Sequence, residues 1–451
     1  IHILDAMTTD IIIIGAGPGG YEAAVRAARK RQQVVIIEKN LLGGTCLNVG
    51  CIPTKCLCHT AEMLDEVRSA GAQGIATGEV AFSLSKAMER KGAIVESLRA
   101  GIAQLMKTPG ITLVEGEARF VDKNTVSVGE ARYEARNIII ATGSTTKFLP
   151  IPGAHAEGVL TSTEMLSLDA VPRRLCVIGG GVIGLEFASI FNAFGSEVTV
   201  VEFCKEVLPN FDRDIAKRLR TALKKRGIVF HTSAAAKEIH EGTTLVVDFE
   251  EKGKLQSVEA DKVLMAVGRA ANVDALNLAD IGIDFTGRGI TVDEHCQTSV
   301  NGVYAIGDAN GLFQLAHAAT FQGYAVVDHI LGVDTKLSDI VPSAVFTVPE
   351  VAMVGKTEEQ LEAEAVEYTV KKAMYRANGK ALSMNADEGL AKILVAGDDS
   401  ILGAHILGAH ASDLIHEVAV VMNSGGSIAD IAHTVHAHPS LSEILLAAAE
   451  A

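Results

Sequence analysis

No stretch of this chain is apolar for long enough to cross a bilayer. The hydrophobic runs at 11–14, 138–141 and 444–449 stop far short of the roughly 20 residues that a spanning helix needs, which argues against a membrane protein. A basic excess is missing too: 40 Lys and Arg stand against 55 Asp and Glu, for a net charge of −15. Such a surface lacks the cationic face that neutralises phosphates, so nucleic acid is not an expected partner. Cysteine is sparse. Seven residues, an odd number without a secreted-scaffold spacing, point to a reducing compartment such as a bacterial cytoplasm or an organelle matrix. Residues 1–6, ahead of Met7, lack the basic-then-apolar order of a signal peptide and read as a remnant or a short tail. What is plentiful is apolar residues, at 48%, enough for large cores. The length of 451 residues suggests about three domains at roughly 150 residues each.

The chain carries one device twice. A β-rich run at 9–14 feeds into Gly15-Ala16-Gly17-Pro18-Gly19-Gly20, followed by a helical stretch at 21–31 and a second strand at 34–37 that ends in Glu38. Gly15 permits a tight turn, Gly17 lets backbone approach a pyrophosphate, and Gly20 lets the helix pack on the strand. Glu38, 18 residues after Gly20, is placed to take ribose hydroxyls. The second copy runs from 175–178 into Gly179-Gly180-Gly181-Val182-Ile183-Gly184, then a helix, then 197–201 ending in Glu202. Gly184 to Glu202 is again 18 residues, and both the leading glycines and the acids are 164 positions apart. One glycine loop is weak evidence; two with matching strand, helix and acid offsets predict two dinucleotide sites. At the second, Glu202 followed by Phe203 and Cys204, with no adjacent arginine, favours NAD over NADP, because a carboxylate accepts the free 2′-hydroxyl and repels a phosphate there.

Beside the first copy, Cys46 and Cys51 are five residues apart. In a regular helix that offset leaves the side chains on different faces, too far apart to bridge, so a bridge requires the distorted backbone that Gly50 can supply. Pro53 suits the first turn of a helix starting near Cys51, and that terminus together with Lys55 would favour thiolate. From the residues alone, a redox pair, two buried cysteines, or one arm of a metal site with Cys56 and Cys58 all stay open. No second ligand pair of matching spacing supports zinc. Near the end, His433, His436 and His438 fall within six residues, which would serve either a metal or a base for thiol chemistry.

The run Gly-Gly-Thr-Cys-Leu-Asn-Val-Gly-Cys-Ile-Pro-Thr-Lys at 43–55 is similar to the redox-active segment of dihydrolipoamide dehydrogenases and their relatives, the FAD-dependent pyridine-nucleotide:disulfide oxidoreductases. Ala141-Thr142-Gly143, Gly268-Arg269, Tyr304-Ala305-Ile306-Gly307-Asp308, Leu315-Ala316-His317 and the 346–352 segment look like further pieces of that family, covering about 9–449. The resemblance implies FAD at the first site and NAD at the second. It implies that Cys46 attacks the substrate disulfide while Cys51 sits against the flavin, with Lys55 and Glu186 paired beside the ring and Asp308 holding the ribityl chain. His438, before Pro439, would be the base and Glu443 its orienting carboxylate, with a cis bond before Pro439; His433 and His436 would be packing or surface residues, and Cys56 and Cys58 helix packing. No metal is implied. The family's histidine serves the opposite subunit, so a homodimer is implied, with lipoyl domains and the core subunit of a 2-oxo acid dehydrogenase complex or glycine cleavage system as partners.

Relatives with other substrates fit less well. Glutathione-type reductases carry arginines for NADP and a tyrosine where Val182 stands, and mercuric reductase adds a C-terminal cysteine pair, whereas the last cysteine here is Cys296. A flavin-bound binding protein without catalysis would not require Cys46, Cys51, His438 and Glu443 together. The expected fold is α/β, two Rossmann-like nucleotide-binding domains plus a C-terminal α+β dimerisation domain. The expected division is a FAD domain at 1–147, an NAD domain at 148–267, a returning FAD-domain segment at 268–336 and the dimerisation domain at 337–451.

Overall fold

Four consecutive isoleucines form the strand Ile11–Ile14, and all four are buried. Ile11 and Ile13 enter one hydrophobic cluster and Ile12 and Ile14 another, so the strand has a covered face on each side. That is why the run is continuous rather than alternating: a parallel sheet with both faces packed needs apolar residues at every position. Each such side chain contributes roughly 1.5–3 kcal/mol by leaving water. The computed structural model describes residues 6–451, so the opening segment read as a remnant or tail lies, apart from Ala6, outside the described residues.

The chain divides into two compact units: one comprises the chain up to Thr54 with Met88–Lys147 and Gly268–Leu337, the other Lys55–Ala87, Phe148–Val267 and Ser338–Ala451. The first unit is built on a parallel sheet with the strand order Val303–Ala305, Asn137–Ile140, Ile11–Ile14, Val34–Glu38, Ile111–Glu115. The helix Pro18–Arg29 crosses from the central strand to its neighbour, with Pro18 at the first helical position and Gly17 as N-cap. A short antiparallel ribbon joins Ser144–Thr146 to Arg269–Ala271.

Besides a three-stranded antiparallel sheet, Ala234–His240, Leu245–Glu251 and Lys254–Ala260, the second unit holds two five-stranded sheets of different kinds. One is parallel, in the order Val159–Leu160, Lys262–Met265, Arg174–Ile178, Glu197–Glu202, Val229–Thr232, and the helix Val182–Phe194 makes its central crossover. The other is antiparallel, in the order Ser343–Val345, Val351–Gly355, Ile401–Leu407, Leu390–Val395, Thr369–Met374. The helices Ala411–Asn423, Ile428–Ala432 and Glu443–Glu450 contribute to the core of that sheet through Ile415, Ile431 and Leu445. Among the described residues no helix is long and apolar enough to cross a membrane.

Candidate active site

The two glycine loops repeat the same pattern of crowded and open positions. Gly15 (φ +104°) and Gly179 (φ +109°) take left-handed turns, and a Cβ on either would stand 2.3 Å from a backbone carbonyl, that of Ala141 or Ala266. A Cβ on Gly20 would lie 1.9 Å from the Gly15 carbonyl oxygen, and one on Gly184 would lie 2.0 Å from that of Gly179, so helix and strand touch at these points. Gly17 and Gly181 differ: nothing lies within 4 Å of the added atom. Each loop is therefore crowded where it packs and open at the glycine that caps the following helix. Neither Gly17 nor Gly181 offers a side-chain cap, leaving the first helical N–H groups for an anion.

The acid at the end of each second strand closes its loop. Glu38 Oε2 accepts the Ala16 N–H at 2.7 Å and Oε1 that of Asn40 at 2.8 Å. Glu202 does the same with Gly180 at 2.5 Å and Cys204 at 2.6 Å. Spacing alone suggested ribose as partner for these carboxylates; each also fixes the loop that carries it, and an ionised carboxylate has acceptor sites left over.

The cysteine segment folds as two helices, Gly44–Val49 and Cys51–Ser69, broken at Gly50, with Cys46 in one and Cys51 opening the other. A Cβ on Gly50 would come within 2.8 Å of the Thr45 carbonyl oxygen and 3.2 Å of Cys46 Cα, so the break requires glycine. Gly43 (φ +92°) donates its N–H to the Ala16 carbonyl at 2.9 Å, tying this segment to the first glycine loop. Tyr21, on the helix leaving that loop, is within electrostatic reach of Cys46. Burial, with Glu22 and Cys46 adding, pushes its hydroxyl up to about 12. Also in the first unit, Ser144 Oγ donates to Asp308 Oδ2 at 2.5 Å and accepts from Arg269 Nε at 2.7 Å, while Arg269 Nη2 donates to the Ser144 carbonyl at 2.6 Å. Burial draws the Arg269 guanidinium below its usual pKa, opposed by Asp308 and Cys51. Thr142 Oγ1 donates to the Asn272 carbonyl at 2.7 Å, and Asn272 N donates to that of Gly143 at 2.9 Å.

In the second unit, Lys55 Nζ lies 3.0 and 2.9 Å from the two oxygens of Glu186, a carboxylate only 2% exposed. Glu186 Oε1 also accepts the Phe346 N–H at 3.0 Å, and Lys55 stands 4.7 Å from the centroid of the Phe346 ring. Burial pushes the Cys58 thiol well up, in keeping with a packing role. His438 Nδ1 donates to Glu443 Oε1 at 2.9 Å, and Glu443 Oε2 accepts the Ser440 N–H at 2.8 Å. That backbone bond, followed by the one from His438, holds Glu443 below the usual carboxylate range. The bond before Pro439 is cis, as is that before Pro349. His436 is buried and satisfied, with Nε2 on Glu417 at 2.7 Å and Nδ1 on the Thr434 carbonyl at 2.8 Å. The imidazole of His438, by contrast, is 80% exposed.

Fold and loops together define a two-site dinucleotide-binding α/β protein that also carries a five-stranded antiparallel sheet. The pyridine nucleotide-disulphide oxidoreductase family matches residues 9–323, and that family's dimerisation domain matches 341–449. The chain belongs to this family. It is an oxidoreductase whose cofactors are FAD and NAD(H), and the open Gly17 and Gly181 positions fit two pyrophosphates. Among its relatives is a dihydrolipoyl dehydrogenase from Bacillus subtilis (strain 168), 42% identical over 98% of this chain and 96% of that protein. A leghemoglobin reductase from Glycine max is 41% identical over 98% and 87%. Of the solved structures, the HOCl-induced flavoprotein disulfide reductase RclA from Escherichia coli superposes with a TM-score of 0.88 at 31% identity, covering 98% of this chain and 99% of that one. The sequence reading did not assign roles to Tyr21, Ser144, Asn272 or Phe346. Gly268-Arg269 had been matched as a motif, but the bond from Arg269 to Ser144, 125 residues away, has no local signature.

Proposed function

We propose that this enzyme oxidises protein-bound dihydrolipoamide to lipoamide, with NAD⁺ as terminal acceptor. The observation that carries the reading is the glycine-enforced helix break that sets Cys46 and Cys51 on separate helices, in a chain that also presents an imidazole aimed by a carboxylate. One substrate thiol yields its proton to His438, and its sulfur attacks Cys46 of the Cys46–Cys51 disulfide. A mixed disulfide forms on Cys46 and Cys51 leaves as thiolate. The second substrate thiol then attacks the substrate sulfur of the mixed disulfide, closing the lipoamide ring, while its proton passes to the departing Cys46, which is released as a thiol. Glu443 holds the imidazole in the tautomer that accepts at Nε2 and steadies its charged form. Lys55 and the helix N-terminus at Cys51 favour the thiolate there. FAD, which Gly15, Gly17, Gly20, Glu38 and Asp308 would hold, would supply two-electron carriage between the cysteine pair and NAD⁺, so that the sum is dihydrolipoamide plus NAD⁺ giving lipoamide, NADH and a proton.

We infer a homodimer in which His438 serves the opposite subunit. Its own chain leaves it exposed, and on the same 337–451 segment Val435 and Val420 are 96% and 64% exposed, apolar surface that a second copy would cover. In this reading residues 1–147 and 268–336 hold the flavin, 148–267 hold NAD and 337–451 dimerise. The partners are lipoyl domains and the core of a 2-oxo acid dehydrogenase complex or the glycine cleavage system, in a bacterial cytoplasm or an organelle matrix. Turnover of NADH with lipoamide, glutathione disulfide and Hg²⁺, compared side by side, tests it. Lipoamide should be reduced far faster than the other two, and a preference for glutathione disulfide or Hg²⁺ would overturn the substrate assignment.

A further inference from the structure

Every residue of the strand Leu390–Val395 is buried, and one of them is a lysine. Lys392 is 1% exposed, and its Nζ lies 2.9 and 2.7 Å from the two oxygens of Asp212, which is 0% exposed. Glu358, at the edge of the cluster, also meets the ammonium. On the adjacent strand, directly opposite, stands buried His405. Its Nε2 donates to the Lys356 carbonyl at 2.9 Å, and burial holds its pKa down, so Lys392 is the cation at the centre. An apolar residue would fill this strand position without the desolvation that a buried ion pair must offset. Packing therefore does not account for the lysine, and its partner shows what does.

Asp212 caps the helix Arg213–Lys225 through the N–H groups of Asp214 and Ile215. It also ends the segment that starts at Glu202. Within that segment the Leu208 N–H donates to the Gly180 carbonyl at 2.9 Å, with Leu208 itself in the left-handed region at φ +48°. Val207 packs against Gly180, and the Glu206 carboxylate is gripped by Arg220 at 2.6 and 2.8 Å. One end of the segment is thus bound to the second glycine loop, and the other is bound to a sheet outside the nucleotide-binding fold. Further ion pairs join the same helix to that region, Asp214–Lys372 at 3.0 Å and Lys225–Glu388 at 2.7 Å, but both are solvent-exposed and hold weakly. The buried pair is the firm attachment.

We infer that Lys392 is a positioning residue for the nicotinamide nucleotide, acting through Asp212 to hold the 203–212 segment against the second glycine loop. This rests on the reading of that loop as the NAD site. Removing both charges avoids leaving one buried ion unpaired, so the variant to make is Asp212→Asn with Lys392→Met, in the FAD-loaded enzyme. ADP-ribose binding, followed by calorimetry, should weaken about tenfold, the loss expected for one charged hydrogen bond. The single-turnover rate of dihydrolipoamide with the cysteine pair, and the flavin content, should not move. Lys392→Gln, whose amide still donates to Asp212, is the milder second variant and should fall between wild type and the double variant. Unchanged ADP-ribose affinity in whichever of these folds overturns the inference. Glu202→Gln separates the two levels of the argument: if it too leaves ADP-ribose binding unchanged, the nucleotide assignment of the loop fails. If it weakens binding while the Lys392 variants do not, only the positioning role fails.

Discussion

Glu202 has two duties, one toward its own backbone and one, in the proposed reading, toward the nucleotide. Its carboxylate receives the Gly180 and Cys204 N–H groups, and its charge discriminates against a 2′-phosphate. Glu202→Ala should therefore raise the KM for NADH about tenfold or more through the lost charged bonds, and narrow the preference over NADPH. Measured kcat/KM values for both nucleotides check this, and equal values in the unmodified enzyme would refute NAD selectivity. His436 offers a test by pH. Burial opposes its charge, but the bonds to Glu417 and the Thr434 carbonyl, with the charges of Glu417 and Glu443, together outweigh burial and raise its pKa. A raised folded pKa means that the stabilisation is complete below the unfolded value near 6.5 and is lost as pH rises through the folded one. The difference in melting temperature between wild type and His436→Gln should accordingly shrink as pH rises above about 6.5. A constant difference from pH 5 to 9 would mean that the pair is not charged.

The glycines make separable claims at the level of the element. Gly20→Ala would force a side chain to within 1.9 Å of a carbonyl at the strand–helix contact, and its chain should fail to fold or melt far lower. Gly17→Ala meets nothing in the protein, so it should fold normally yet retain FAD poorly. Soluble yield and flavin-to-protein absorbance ratio distinguish these outcomes; normal flavin retention by Gly17→Ala would remove the pyrophosphate from that position. These positions were legible in the sequence because a crowded turn and an open one each demand glycine at a fixed offset, and so was the Gly50 break. The Ser144–Arg269–Asp308 cluster and the Lys392–Asp212 pair were not. Their partners are 125, 164 and 180 residues apart, and the strand 390–395 would read as core with or without a charge inside it. Local pattern records what the backbone needs, whereas distant pairing is decided by how sheets are ordered.

The whole molecule, in the proposed reading, is a pair of chains that share two sites. His438→Gln should slow the dithiol half-reaction by roughly 10²–10⁴-fold, the range for a general base, while NADH-driven flavin reduction stays fast. Mixing a Cys46→Ser chain with a His438→Gln chain should restore up to half of wild-type turnover, because one site of each heterodimer then carries both defects and the other neither. Verified heterodimers without recovery would show that each chain builds its own site.

An imidazole left 80% exposed by its own chain also has a consequence for how much protein makes an enzyme. If the base is effective only across an interface, a lone chain holds both cofactors and all four reacting side chains and still lacks base-assisted turnover. Specific activity then obeys mass action. Below the dimer dissociation constant it should fall in proportion to total protein, so that the assay's dilution, rather than any inhibitor, decides whether the catalyst exists.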